Sequence, residues 1–301
     1  MACNPYWNDA VFVCPFSGTN GSTSFVDLKG NTITTHGSAH ISTDQSIVGS
    51  SSGLFGPTND YLTFPYSGNF NFPGDFHLRI FVYPVAHTYS YPCIFSNYSA
   101  YAANGGLAVF AGHNGGASNK YQVSYNGTFP VLTSTSSIAY NTWSVLDIGR
   151  VGSTLYLRVN GNLEATATGT ATIAGTSDNI WVAAAGDALS SSTFHGYIGG
   201  VFIGKGIGGD IGGDISFLTN QCAISGGVKN ASGSPISRLV RAYRRDTGAL
   251  VGSGISNGTT GAYNIPVQYS DECYVVRVDD TTDPPTAGTE NALIFDRVIP
   301  V

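Results

Sequence analysis

A chain of 301 residues with a net charge of −6 has no excess of basic residues that could hold nucleic acid. Only 11% of its residues are charged, whereas 42% are hydrophobic and 12% aromatic, which excludes a disordered chain and allows a buried core. The sequence has no apolar run of the ~20 residues needed to cross a membrane, and it does not begin with a recognisable signal peptide. We therefore expect a folded protein made in the cytoplasm, with no membrane insertion.

The composition is typical of a β protein with many turns. Glycine contributes 39 residues, close to twice the usual share, and aromatic residues are frequent. The cysteines are odd in number and form no CxxC pair, so we expect buried thiols rather than a disulfide framework. They are Cys3, Cys14, Cys93, Cys222 and Cys273. The six His show no metal-ligand spacing, and we expect neither a metal nor another cofactor.

Short apolar segments separated by turn residues predict a series of strands in the first two thirds of the chain. In residues 75–85, Phe76, Leu78 and Ile80 alternate with polar residues, which predicts one buried face, and Pro84 ends the strand because it has no N–H to donate. The predicted strands are 10–16, 25–27, 33–41, 53–55, 60–64, 75–85, 107–110, 121–125, 143–148, 155–159, 179–185 and 195–203.

The segment from Asn141 to Thr168 is predicted to form the centre of this domain. Asn160 and Gly161 form a strong two-residue hairpin signal, because both tolerate positive φ. The preceding strand, 143–148, is apolar on both faces, which is typical of a strand in the middle of a sandwich. We expect Trp143 to be buried in the core.

A second domain follows a glycine-rich segment. Residues 204–220 predict a linker, since their composition is flexible and both flanks are patterned. The GxGxxG within it has no βαβ context and predicts no nucleotide site. We assign residues 1–203 to the first domain and residues 221–301 to a small β-sandwich, and we expect proteases to cut first within 204–214.

Two motifs in the first domain resemble known families. W-x-V-L-x-I-x-R-x-G-S-T-L-Y-L-R-V-N-G, residues 143–161, resembles the central hairpin of concanavalin A-like, laminin-G-type jelly-roll domains. The opening motif resembles that of laminin-G-like modules in bacteriophage virion proteins. Its residues are Phe16, Gly18, Thr19, Asn20, Gly21, Ser22, Thr23, Phe25 and Asp27. This resemblance implies an all-β, concanavalin A-like jelly-roll sandwich.

The string from residue 224 to residue 263, I-S-G-x-V…L-V-R-A-Y-R-R-D-T-G-A-L-V-G…T-G-A-Y, resembles small prealbumin-like or carboxypeptidase-regulatory-like sandwiches. Such Ig-like modules are appended to phage structural and tail proteins. The resemblance implies the fold of the second domain. Paired with the first, it implies a virion protein.

No catalytic arrangement is visible in the sequence. A retaining glycosidase on a jelly roll needs two carboxylates about 5 Å apart, and the chain has no ExDxE or DxDxE pattern. It also has no G-x-S-x-G elbow. We expect no enzymatic activity.

Carbohydrate binding is compatible with the composition, because sugar rings stack on exposed aromatic side chains. The densest aromatic segment, residues 89–101, offers candidates for a glycan contact or equally for a contact between subunits. They are Tyr89, Tyr91, Tyr98 and Tyr101.

The resemblances imply a non-enzymatic structural protein of a tailed bacteriophage virion, made in the host cytoplasm, that decorates the capsid or forms part of the tail. Its partners would be other virion proteins, further copies of itself and a cell-surface glycan. The alternative is a carbohydrate-binding receptor-binding protein or adhesin.

Overall fold

The structure is a computed structural model that divides the chain into two compact units, Asp9–Leu218 and Met1–Asn8 with Thr219–Val301. It describes residues 6–7, 9–57, 59–86, 91–97, 106–113, 118–174, 179–186, 192–207, 223–230, 232–245, 247–266, 274–279 and 293–298. Within these ranges no helix is long and apolar enough to cross a membrane. The predicted linker, 204–220, lies mostly outside them, and the predicted domain boundaries stay predictions.

The described part of the larger unit is built from antiparallel strands. In chain order they are β1 (Ala10–Cys14), β2 (Thr34–His36), β3 (His40–Ser42), β4 (Ser52–Phe55), β5 (Tyr61–Pro65), β6 (Phe76–Pro84), β7 (Cys93–Ser96), β8 (Leu107–His113), β9 (Ser118–Tyr125), β10 (Thr128–Thr133), β11 (Ser144–Val151), β12 (Thr154–Val159), β13 (Asn162–Thr168), β14 (Asn179–Val182) and β15 (Gly196–Lys205). One short 3₁₀ turn, Gly68–Phe70, precedes β6.

These strands form two sheets that enclose one core. Sheet A has the order β13-β12-β11-β6-β15-β4-β3, with β1 also paired to β15, and sheet B has the order β10-β9-β8-β7-β14-β5-β2. Phe12 of sheet A stacks on Phe64 of sheet B with ring centroids 4.2 Å apart, so apolar side chains from both inner faces meet. The prediction of an all-β sandwich is confirmed.

The alternation predicted for β6 is confirmed. Phe76, Leu78 and Ile80 lie in the shared core, whereas His77 and Arg79 point to the outer face of sheet A. The adjacent strand β11 runs antiparallel and in register, with Asp147 opposite Arg79.

Some predicted strands were wrong. Residues 25–27 form no strand, and residues 33–41 form two strands separated by a turn at Gly37. Gly37 has φ +67°, and a Cβ there would lie 2.3 Å from the Asp60 carboxylate, which accepts the Ser38 N–H. The turn therefore requires glycine, because the carboxylate fills the space where another residue's side chain would begin.

The prediction that Trp143 is a core residue was also wrong. Trp143 immediately precedes β11, is half-buried, and lies on the outer face of sheet A beside Tyr83. Leu146 and Ile148 supply the core contacts of this strand instead. The outer face of sheet A is itself partly buried, so apolar residues occur on both sides of the strand.

The residues of the opening motif stabilise the loop after β1. Asp27 is buried, and its carboxylate accepts the N–H of Val13 at 2.7 Å and the N–H of Asn31 at 2.8 Å. Phe16 and Phe25 pack edge to face within the core. These residues fix the loop after β1, which accounts for the motif without a ligand.

The smaller unit also contains described β-strands. They are β16 (Ala223–Gly227), β17 (Leu239–Arg244), β18 (Leu250–Ile255), β19 (Ala262–Pro266), β20 (Tyr274–Asp279) and β21 (Leu293–Val298). β16 pairs with β19, and the other four form a sheet in the order β18-β17-β20-β21. Ile224, Val240 and Ile265 belong to a separate small core. The Ig-like or prealbumin-like assignment of this unit stays a prediction.

Candidate functional site

Three partly exposed aromatic side chains lie together at one end of the outer face of sheet A. We call Tyr83, Trp143 and Tyr197 the aromatic platform. The Tyr83 ring is central, with its centroid 5.5 Å from that of Trp143 and 5.6 Å from that of Tyr197. Both contacts are edge to face, the geometry that aromatic quadrupoles favour. Each side chain is half-buried, so parts of the rings remain accessible to a ligand.

Strand register places these side chains next to one another. Tyr83 near the end of β6 pairs directly with Tyr197 near the start of β15. The loop before β11 is tied to the end of β6, because the Asn141 N–H donates to the Pro84 carbonyl at 2.8 Å. This bond places Trp143 beside Tyr83, on the β11 side of β6.

The Trp143 ring reaches over Gly199, at a bulge in β15. A Cβ at Gly199 would lie 2.5 Å from Cγ2 of Ile47 and 3.2 Å from the Trp143 ring. Any larger residue would therefore displace the two side chains that cover this strand.

The carboxylate of Asp44 acts electrostatically on Tyr197 at the edge of the platform. Burial, and then the negative charge of Asp44, raise the pKa of Tyr197 above its ordinary value of 10.0. Its hydroxyl is therefore neutral at physiological pH and can both donate and accept a hydrogen bond. Leu54 and His40 follow across the next two strands and are also partly exposed.

A buried polar network lies farther along the same face. The Asp147 carboxylate accepts hydrogen bonds from Nε of Arg79 at 2.6 Å and from Nε2 of His77 at 2.9 Å. In the neutral imidazole, the other ring nitrogen accepts the Tyr156 hydroxyl at 2.7 Å. Burial alone would raise the pKa of Asp147, but the bonds from His77 and Arg79 outweigh it and lower the pKa. The network joins β6, β11 and β12 below the platform.

The predicted tyrosine loop is only partly described. Tyr89, Tyr98 and Tyr101 lie outside the described residues. Tyr91 is half-buried and packs against a small apolar cluster that includes Cys93 and Phe110. Within 89–101, Cys93–Ser96 forms the buried strand β7, so this stretch is not a continuous loop. The structure does not join Tyr91 to the platform.

The remaining acidic and thiol groups have structural roles in the described ranges. Glu164 accepts the N–H groups of Thr135 and Ser136, each at 2.7 Å, and so caps a turn. Burial would raise its pKa, but the hydrogen bonds from Thr135 and Ser136 together outweigh burial and hold the pKa of Glu164 below its ordinary value. Cys14 and Cys93 are buried thiols. Across the described ranges, no three His, Cys, Asp or Glu side chains converge as metal ligands would.

The two-sheet sandwich and a family match together identify a concanavalin A-like domain. Residues 56–204 match the Laminin_G_3 family, described as the concanavalin A-like lectin/glucanases superfamily. The match spans β5 to β15 and therefore all three residues of the platform. The predicted laminin-G-like resemblance is confirmed for this region. A search of curated proteins gave no significant match.

Two solved structures are similar to this chain at low sequence identity. The chain is similar to the binding domain of botulinum neurotoxin serotype D, with a TM-score of 0.51, 9% identity, and coverage of 98% of this chain and 80% of that chain. It is also similar to domain 4 of an extracellular arabinanase from Geobacillus stearothermophilus, solved with arabinotriose. That comparison has a TM-score of 0.46, 12% identity, and coverage of 68% of this chain and 93% of that chain. At these identities the similarity concerns the fold alone.

Proposed function

We propose that this chain is a non-enzymatic carbohydrate-binding protein and that the aromatic platform holds the sugar. The observation that carries the proposal is the set of three half-buried rings, Tyr83, Trp143 and Tyr197, which lie on two adjacent strands and in the loop before a third in a concanavalin A-like sandwich. The family description, which includes lectins, supports this function.

The chemistry of the platform suits a pyranose ring. The apolar C–H face of a sugar can stack on an indole or phenol ring, while its hydroxyl groups remain able to form hydrogen bonds. The neutral Tyr197 hydroxyl and the nearby Asp44 carboxylate can provide such bonds at the edge of the platform. The platform contains no group that could act as a paired acid and base, so binding without hydrolysis is the expected activity.

Glycan-array screening of the intact protein, followed by calorimetry on the strongest hit, tests this proposal. Trp143→Ala should weaken binding by about 30-fold, since losing a central aromatic anchor costs about 2 kcal/mol. Trp143→Phe should retain part of the affinity because it keeps a ring. A thermal melt of each variant verifies folding.

Tyr61→Ala is the matched control. Tyr61 is a half-buried tyrosine on sheet B, where it stacks on His36 with ring centroids 4.3 Å apart. Its loss should leave binding unchanged. If a glycan binds Trp143→Ala as tightly as it binds the parent protein but does not bind Tyr61→Ala, the binding site lies on sheet B and not on the platform.

We further propose that the protein is a component of a tailed bacteriophage particle, in the capsid decoration or the tail, and that it assembles as a symmetric oligomer. The resemblance of its opening motif to laminin-G-like phage modules supports this location. Its low charged fraction of 11% and its 17 Tyr favour polar and aromatic contacts, which salt screens little.

Incorporation into particles tests this location. A chain truncated after Gly213 should be lost from purified particles if the smaller unit provides the attachment, and the intact protein should stay attached in molar salt. Full retention of the truncated chain would assign attachment to the larger unit. Release of the intact protein at moderate salt would contradict the proposed contact chemistry.

A further inference from the structure

A polar pocket of about 250 Å³ lies at the opposite end of the sandwich from the platform. It is formed where the turn between β9 and β10 approaches the segment after β13, at the edge strands of both sheets. β6 spans the two ends, and the seven steps along the strand from Phe76 to Tyr83 cover roughly 23 Å. The pocket is therefore a separate location and not an extension of the platform.

The lining of the pocket is rich in hydroxyl groups. Thr128, Thr168 and Thr170 are exposed and border it, while Tyr125 and Ala171 form its floor. A volume of about 250 Å³ lies below the ~300–1,000 Å³ of sites for drug-sized ligands. One sugar-sized molecule would fill it.

A buried guanidinium lies directly beneath this floor. Arg150 is 1% exposed, and its Nη1 donates to the Tyr125 hydroxyl at 3.0 Å and to the Ala171 carbonyl at 2.6 Å. Its remaining N–H groups donate to the carbonyls of Phe72 and Gly74. The Tyr125 hydroxyl in turn donates to the Ala171 carbonyl at 2.6 Å. Two groups of the floor are thus bonded to one cation.

The charge of Arg150 has no paired carboxylate in the described residues. The ion pairs found there join Asp147 to Arg79 and His77, and none involves Arg150. Asp75, which adjoins Gly74, directs its carboxylate to the Gly152 N–H at 2.7 Å. The Arg150 guanidinium is bound only to neutral oxygen atoms, and its potential extends into the pocket above it.

We propose that this pocket binds a monosaccharide unit that carries a carboxylate, such as a uronic acid residue. The threonine hydroxyl groups donate hydrogen bonds to the carboxylate, and they both donate hydrogen bonds to the sugar hydroxyls and accept hydrogen bonds from them. Arg150 attracts the ligand through its charge but does not touch it, because its five N–H groups are already used. The pocket is a second sugar site, selective for anionic sugars, and its existence does not depend on the function of the platform.

Titrations of the isotope-labelled full-length protein with methyl β-glucuronide and methyl β-glucoside, followed by NMR, test the proposal. The two probes differ at the carboxylate. The glucuronide should shift the amide signals of residues 125–128 and 168–171 and bind about ten-fold more tightly than the glucoside, with an affinity that falls as salt rises.

Variants then assign the site. The double variant Thr168→Val and Thr170→Val removes two exposed hydroxyls at constant shape and should weaken glucuronide binding about ten-fold, while folding stays intact. Thr166→Val, on the same strand outside the pocket, is the matched control and should bind as the parent does. Trp143→Ala should also leave glucuronide binding unchanged.

Several results would overturn the proposal. Equal or tighter binding of the glucoside would remove the role of charge. Unchanged glucuronide binding by the double variant, or its loss in Trp143→Ala, would place the ligand elsewhere. The absence of any shift at millimolar concentrations of both probes would show that the pocket binds neither.

Discussion

Asp147 is the residue whose replacement should most clearly test the buried network on sheet A. Its carboxylate, 1% exposed, accepts Nε and Nη2 of Arg79 at 2.6 and 3.1 Å and Nε2 of His77 at 2.9 Å. Asp147→Asn keeps the size of the side chain but removes the charge. It leaves the Arg79 guanidinium, 2% exposed, without its counter-ion.

The expected cost is about 3–5 kcal/mol, because removing one partner of a buried ion pair leaves the other charge buried and unpaired. For a unit of about 200 residues this corresponds to a decrease in Tm of about 6–20 °C. Urea unfolding followed by tryptophan fluorescence measures the free energy of unfolding. Asp44→Asn, at an exposed acid, is the control and should change it by less than about 0.5 kcal/mol.

The pH dependence provides an independent check. The folded-state pKa of Asp147 is lowered, so its contribution is complete above its ordinary pKa of 3.8 and is lost as pH falls through the lower folded value. The difference in stability between the parent and Asp147→Asn should therefore be constant near neutral pH and shrink in strong acid. A difference below about 1 kcal/mol at pH 7, or one that grows in acid, would refute the assignment of an ion pair that stabilises the sheet.

Three other substitutions have defined outcomes. Trp143→Ala should cost about 1–3 kcal/mol in urea unfolding, less than the 3–5 of a fully buried residue, because the ring is only half-buried. Gly199→Ala should weaken glycan binding, measured by calorimetry, and also lower Tm, because its Cβ would lie 2.5 Å from Ile47 and 3.2 Å from the Trp143 ring. Burial lowers the pKa of His36 from 6.5, so the contribution of neutral His36 to stability is complete above that pH and declines as pH falls below it. His36→Phe keeps the stack on Tyr61 but cannot be protonated. The urea midpoint of this variant should therefore fall less between pH 7 and pH 5 than that of the parent protein.

The sequence predicts β6 and the central hairpin well because both depend on local patterns. The period-two alternation through Phe76, Leu78 and Ile80 determines which face is buried, and the Asn160–Gly161 pair determines the turn. β10 was missed for the opposite reason. It contains Pro130, which normally argues against a strand, but β10 is an edge strand and has a side that needs no N–H donor.

The aromatic platform could not be predicted, because its residues lie far apart in the sequence. Tyr83, Trp143 and Tyr197 meet only when β15 pairs with β6 and the loop before β11 is tied to the end of β6. Density of tyrosine along the chain instead drew attention to residues 89–101, part of which is the buried strand β7. The three residues share one feature, since each lies at or next to a strand end, where a large side chain can remain partly exposed. This feature alone does not show that the three side chains meet.

The glycine pair in β15 connects these observations. Gly199 and Gly200 belong to β15, and Gly199 lies beneath the Trp143 ring. Because Gly199 has no side chain, Trp143 and Ile47 can occupy the space above it. The absence of a side chain at Gly199 thus makes room for the aromatic surface of the platform. The proposed sugar binding rests on this surface and not on the fold, because one fold can carry many functions.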